Sequence, residues 1–204
     1  MDEPTPSSNL VLAAARSISA ALRVPYALCG GAACVVLGSQ RETKAIALVV
    51  PRGSTKAART EFRAHPAFKV EPRTNYTTFI GEPLNAQGTA EHTELKGIPL
   101  TILSPPGLFS YNYTGAERDY VLVDGIRVLH PRFLILTKVV GIADRPMKKI
   151  ISDANDVAFL MEKLWNMGEM VSLGELGFTS DILDKFVEIV PNVRGVLERM
   201  GYIP

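Results

Sequence analysis

The chain has 204 residues, 47% hydrophobic and 21% charged, which is the balance of a folded globular protein of one domain, or one core with a helical appendage. Twenty-two Lys and Arg against 21 Asp and Glu leave a net charge of +1, which supports no extended nucleic-acid or acidic-membrane surface and leaves room only for a local basic patch. Two cysteines, Cys29 and Cys34, and three scattered histidines exclude a disulfide scaffold and a zinc module, and no apolar run reaches the roughly 18–20 residues of a membrane span.

Met1-Asp2-Glu3-Pro4 is acidic and then Ser/Pro-rich, unlike a signal peptide, so the expected location is cytoplasmic. Residues 1–7 read as a loose tail. Helical spacing of Leu10, Leu12, Ala13, Ile18, Ala21 and Leu22 predicts a helix from Ser8, with Ser7 or Ser8 as its cap and Pro25 beyond its end. Tyr26–Cys29 reads as a short buried strand, Gly30-Gly31 as a turn, and Ala32–Leu37 as a second short helix closed by Gly38. Ala45–Val50 is a continuous apolar run stopped by Pro51-Arg52-Gly53, the pattern of a central strand buried on both faces. Ser54–His65 reads as an amphipathic helix capped by Ser54 or Thr55.

The pattern then turns to strands at Phe68–Glu71, Thr74–Ile80 and His92–Leu103. Asp119–Val123 and Ile126–Leu129 flank Asp124-Gly125, a pair suited to the positive φ angles of a tight primed hairpin turn. Past Pro131, Phe133–Ile142, Lys148–Trp165, Thr179–Val190 and Asn192–Met200 read as helices. The fold class expected is therefore α/β: a mixed sheet flanked by helices over 8–130, then a helical C-terminal segment, 131–204, packed on that core.

One stretch carries the chemistry. Leu28-Cys29-Gly30-Gly31-Ala32-Ala33 gives a strand, a Gly pair and a helix start. Leu37-Gly38-Ser39-Gln40-Arg41-Glu42-Thr43-Lys44 then leads as a polar loop into Ala45-Ile46-Ala47-Leu48-Val49-Val50. Glycines at a helix mouth let backbone N–H groups approach an anion, although a Gly pair also serves as a plain tight turn. The strand, Gly-Gly turn and helix, followed by Arg-x-Thr-x-x-Ile-x-Leu-Val-Val, resemble the core motif of the nucleotidyltransferase superfamily, close to its small fungal and prokaryotic antitoxin-like members. The resemblance covers residues 20 to 160. It implies a Gly pair that binds nucleoside triphosphate phosphates, paired aspartates flanking the isoleucine that hold two magnesium ions, and a third acid on a later strand.

The chain departs from that pattern where the metals would sit. Ala45 and Ala47 stand at the paired positions, and Ile98-Pro99-Leu100-Thr101 offers Thr101 where the third acid is expected. No aspartate occurs between Asp2 and Asp119. Two-metal phosphoryl transfer needs carboxylates to hold its cations, and methyl groups supply neither ligand nor charge. The resemblance thus implies a nucleotidyltransferase-like protein without metal or cofactor that no longer transfers nucleotides and keeps a small-molecule pocket. Two alternatives stay open. The scaffold could be repurposed for metal-free chemistry on a small organic molecule, as in fungal specialised metabolism, or the alanines could be engineered into an active enzyme that uses magnesium and a nucleoside triphosphate.

The ligand-binding candidates are Gly30, Gly31, Ser39, Arg41, Thr43, Lys138, Tyr111 and Tyr113. Lys138, on the helix after Pro131, occupies the region of a phosphate-facing lysine in similar proteins, or is a solvated surface lysine. Tyr111 and Tyr113 belong with Phe109 and Tyr120 to an aromatic cluster that is either a pocket wall or ordinary packing, and Tyr111-Asn112-Tyr113 favours partial exposure. Lys149 with Asp153 and Lys148 with Asp156 read as helix-surface pairs. Cys29 reads as a small buried hydrophobe rather than a nucleophile, and His65, His92 and His130 as surface or loop residues. The expected partner is a small molecule, with neither membrane nor nucleic acid; a homodimer is left open.

Overall fold

The computed structural model describes residues 6–81, 97–106, 111–141 and 146–203, leaving aside the side chains of 191 and 192. Seven strands form one mixed sheet flanked by helices. They are β1 (Ala27–Cys29), β2 (Ile46–Val49), β3 (Phe68–Val70), β4 (Thr77–Phe79), β5 (Ile98–Leu103), β6 (Tyr120–Val123) and β7 (Ile126–Leu129). Their order across the sheet is β3-β4-β5-β2-β1-β7-β6. The chain divides into two compact units, the first running to Leu129 and the second comprising His130–Pro204 with the Phe109–Tyr111 stretch. The expected strand residues 92–96 lie outside the described residues.

In the first unit, α1 (Ser8–Ala21), α2 (Gly30–Val36) and α3 (Thr55–Ala64) pack with the strands. Ser7 caps α1, its Oγ accepting from Leu10 N–H at 3.3 Å, and Leu10, Val11, Ala14, Ala15 and Ile18 bury the inner stripe. Helix α3 has Ser54 at its cap position but without a side-chain cap bond. Its Phe62 is fully buried, with ring centroids 4.6 Å from Phe68, which in turn lies 5.6 Å from Phe79. Glu61 ties α3 back to the end of α1 by accepting from the N–H groups of Arg23 (2.8 Å) and Val24 (3.2 Å).

Strand β2 lies between β5, to which it is parallel, and β1, to which it is antiparallel. The sequence predicted a strand from Ala45 buried on both faces. Ala45 instead precedes the strand; the pleat buries Ile46 and Leu48 on one face and Val49 on the other, where only Ala47 is half-buried. Strand β4 is shorter than expected because Asn75 sits at φ +58 and takes the chain out of extended geometry. The β6–β7 hairpin forms as expected, with Asp124 and Gly125 at φ +49 and +78, the two positive values that a primed two-residue turn requires. Asp119, expected as the first strand residue, instead closes a 3₁₀ turn. Its fully buried Oδ2 accepts from Thr114 N–H (2.8 Å), Thr114 Oγ1–H (2.7 Å) and Gly115 N–H (3.0 Å).

The second unit holds α4 (Pro131–Val140), α5 (Met147–Asn166), α6 (Ser180–Ile189) and α7 (Pro191–Arg199). Pro131 at the first turn of α4 and Pro191 at that of α7 use the position where a missing N–H costs nothing. Thr179 caps α6 by accepting from Ile182 N–H. Helix α5 buries Ile150, Ala154, Val157, Met161 and Leu164 against α4 and α7. No helix among the described residues is long and apolar enough to cross a membrane.

Candidate functional site

The Gly30-Gly31 turn opens α2 immediately after β1, and its two glycines are required for different reasons. Gly30 lies at φ +63, a left-handed conformation that a side chain resists. Gly31 has an ordinary φ but no room. A Cβ there would lie 2.9 Å from Thr43 Oγ1 and 3.0 Å from Arg41 Cζ. The loop after α2 therefore folds Arg41 and Thr43 back onto the turn. Thr43 is buried and donates its hydroxyl proton to the Ala45 carbonyl at 3.0 Å, so toward any further group that oxygen can only accept. Arg41 donates from Nε to the Glu42 carbonyl at 3.1 Å, and its backbone N–H is 3.4 Å from Ser39 Oγ. Gly30, Gly31, Ser39, Arg41 and Thr43 are thus brought to one corner of the first unit.

The three metal positions implied by the resemblance sit beside that corner. Ala47 is the register partner of Cys29 on β1 and of Thr101 on β5, and a Cβ on Gly30 would lie 3.8 Å from Ala47 Cβ. Ala45 lies in the bend just before β2, where its carbonyl accepts from the Thr43 hydroxyl. Ala47 and Ala45 are partly exposed, and Thr101 is exposed. The three positions supply two methyl groups and one hydroxyl. They do not fit a magnesium ion, which needs hard, preferably anionic oxygen ligands in near-octahedral array. Among the described residues no group of three or more His, Cys, Asp or Glu side chains could hold a metal ion.

The remaining candidates divide between the two units. Tyr113 belongs to the first unit and is 1% exposed, so it is not the partly exposed residue its neighbours suggested, and its phenol is pushed above its ordinary pKa by burial. Tyr111 belongs to the second unit and stacks on Phe133 with centroids 3.6 Å apart. Phe109 lies outside the described residues. The sequence reading of Lys138 as a solvated lysine is corrected. It is buried in the second unit, with Nζ 3.0 Å from Asp153 Oδ1 and 2.6 Å from Asp156 Oδ2. Those two aspartates are buried as well, not helix-surface residues, whereas Lys148 and Lys149 are exposed, Lys149 lying 3.8 Å from Asp153. Cys29 and Cys34 are buried and in no disulfide.

His130, expected as a surface or loop residue, does sit in the connection between β7 and α4, but it is buried there at 8% exposed. Its Nε2 lies 3.1 Å from Glu169 Oε1, while Nδ1 is buried without a hydrogen-bond partner among the described residues. Burial lowers its pKa, opposed by Glu169 and reinforced by Arg132. A groove of about 440 Å³ between α5 and α7, lined by Glu162, Trp165, Asn166, Val196, Arg199 and Met200, contains none of the residues singled out from the sequence. No family model matches the chain, and no curated protein matches it.

Proposed function

We propose that this chain is a nucleotidyltransferase-fold protein that no longer transfers nucleotides and instead binds a small organic molecule at the Gly30-Gly31 corner. One observation supports this reading above the others: the pairing of Ala47 with Thr101 in register, next to Gly30, gathers the positions that would carry metal-holding acids and gives them methyl and hydroxyl groups. Cations that neutralise a triphosphate and activate the attacking oxygen find no carboxylate there, and positioning plus electrostatics is nearly all the catalysis such a reaction uses. What the corner offers is a guanidinium and the backbone at Gly31, which suit an anionic group, and beside them the Thr43 oxygen, which accepts from a donor on the same small ligand.

The test has two arms. The chain is incubated with labelled nucleoside triphosphates and Mg²⁺ or Mn²⁺, as it stands and as Ala45→Asp/Ala47→Asp. Neither is expected to transfer label. Metal-dependent transfer by the unmodified chain overturns the proposal, and transfer gained only by the double variant identifies an enzyme whose aspartates were replaced. In the second arm, ATP in excess EDTA serves as an anionic organic probe in a thermal-shift titration. Stabilisation independent of metal and lost in Arg41→Gln is expected; stabilisation that requires Mg²⁺ refutes the metal-free site.

A further inference from the structure

We propose that the outer stripe of α3, together with the turn that follows β3, is a docking surface for single-stranded nucleic acid. The whole chain is nearly neutral, but residues 52–73 hold six Lys and Arg (Arg52, Lys56, Arg59, Arg63, Lys69, Arg73) against two acids, Glu61 and Glu71. Both acids are engaged. Glu61 accepts from the backbone of Arg23 and Val24, and Glu71 pairs with Lys69 at 3.6 Å. Among the described residues, none of Arg52, Lys56, Arg59, Arg63 or Arg73 is in an ion pair.

The cations are also aligned. At 100° per residue, Lys56 and Arg63 fall within about 20° of each other on the exposed side of α3, while half-buried Arg59, its Nε enclosed, lies between them and the buried Ala58 and Phe62. With a rise of about 1.5 Å per residue the cations extend over roughly 10 Å, enough to face successive phosphates of one strand. Arg63 Nη2 donates to Asn75 Oδ1 at 2.8 Å, which joins the stripe to the turn carrying exposed Arg73. The next residue, Tyr76, is 54% exposed.

Partner chemistry follows from two features. The apolar face of α3 is buried under the sheet's own phenylalanines, so the helix has nothing to insert into a lipid surface and can act only by charge. An exposed aromatic at the end of a row of unpaired cations is what an unstacked base requires, whereas an acidic protein segment gains little from it.

Fluorescence anisotropy with a labelled oligothymidylate on the order of 20 nucleotides tests the proposal. Four phosphate contacts to a single strand, from the exposed Arg52, Lys56, Arg63 and Arg73, give a log–log salt slope of about −2.8, so affinity falls roughly 50-fold between about 50 and about 200 mM salt. Arg52→Gln/Lys56→Gln, both exposed and with side chains in no described hydrogen bond, is expected to halve that slope, and adding Arg63→Gln to bring it near −0.7. Tyr76→Ala is expected to weaken binding at least about fivefold while leaving the salt slope unchanged. No binding at about 50 mM salt overturns the proposal, as does a slope that the glutamine variants do not alter. Equal affinity for polyglutamate, with no effect of Tyr76→Ala, assigns the stripe to acidic proteins instead and overturns it as well.

Discussion

Replacing Lys138 by Met removes the cation from a place where two carboxylates are buried. Lys138 Nζ lies within 3.0 Å of both Asp153 and Asp156, and all three side chains are at most 5% exposed. Breaking a buried ion pair by deleting one partner costs about 3–5 kcal/mol, because the remaining charge keeps its desolvation penalty without compensation. Lys149, half exposed and 3.8 Å from Asp153, is too solvated to take over. For a chain of this length that loss corresponds to a drop in Tm of roughly 6–20 °C. Asp156→Asn differs in kind: it leaves Lys138 facing Asp153 at 3.0 Å as a balanced pair, so it is expected to cost about 1–2 kcal/mol. Urea unfolding followed by the fluorescence of Trp165, the single tryptophan and itself on α5, reads both variants in the unit that carries the cluster. Equal costs for the two variants, or a Lys138→Met cost below about 1 kcal/mol, would show that the cluster is hydrated and that the charge argument fails.

His130 carries a pH dependence. Its folded pKa is depressed below 6.5, so its contribution to stability is complete above that value and is lost as pH falls, the unfolded chain taking up the proton first. The urea midpoint is expected to drop from pH 7.5 to 5.5 in the unmodified chain, and part of that drop should vanish in His130→Asn; an identical drop in both would count against the reading. Gly30→Ala forces a side chain to φ +63 and is expected to cost about 1–2 kcal/mol by urea unfolding. Phe62→Ala empties a fully buried site against Phe68 and is expected to cost about 3–5 kcal/mol; a loss under 1 kcal/mol would mean that the neighbouring rings collapse into the space.

Local signals were the legible ones. Asp124-Gly125 dictates its turn by backbone conformation alone, Ser7 caps α1 with its own hydroxyl, and Pro131 and Pro191 mark helix starts, so none of these depends on distant residues. Strand order is another matter. Nothing in the run Ala27–Cys29 announces that its neighbours are β2 on one side and β7 on the other. The Gly30-Gly31 corner was visible as a motif, but the fold-back of Arg41 and Thr43 onto Gly31 is a product of loop geometry. The buried charge cluster was misread because a Lys and an Asp four apart look the same on a wet helix face as on a dry one. A signal was present: Asp153 falls inside the stripe formed by Ile150, Val157 and Leu164, and Lys138 follows buried Leu134 and Ile135, so charged residues interrupt apolar faces. His130 was missed because Glu169, its partner, lies 39 residues away in sequence.

The position of β1 has a consequence for how the protein is made. One edge of this strand is completed by β2 within some twenty residues, but the other waits for β7, about 100 residues further along the chain. At translation rates of about 5–20 residues per second, a ribosome needs roughly 5–20 s to deliver that partner. Throughout this interval the nascent polypeptide presents a bare hydrogen-bonding edge at Ala27–Cys29, and chaperone engagement during synthesis is expected to end only when the β6–β7 hairpin leaves the exit tunnel.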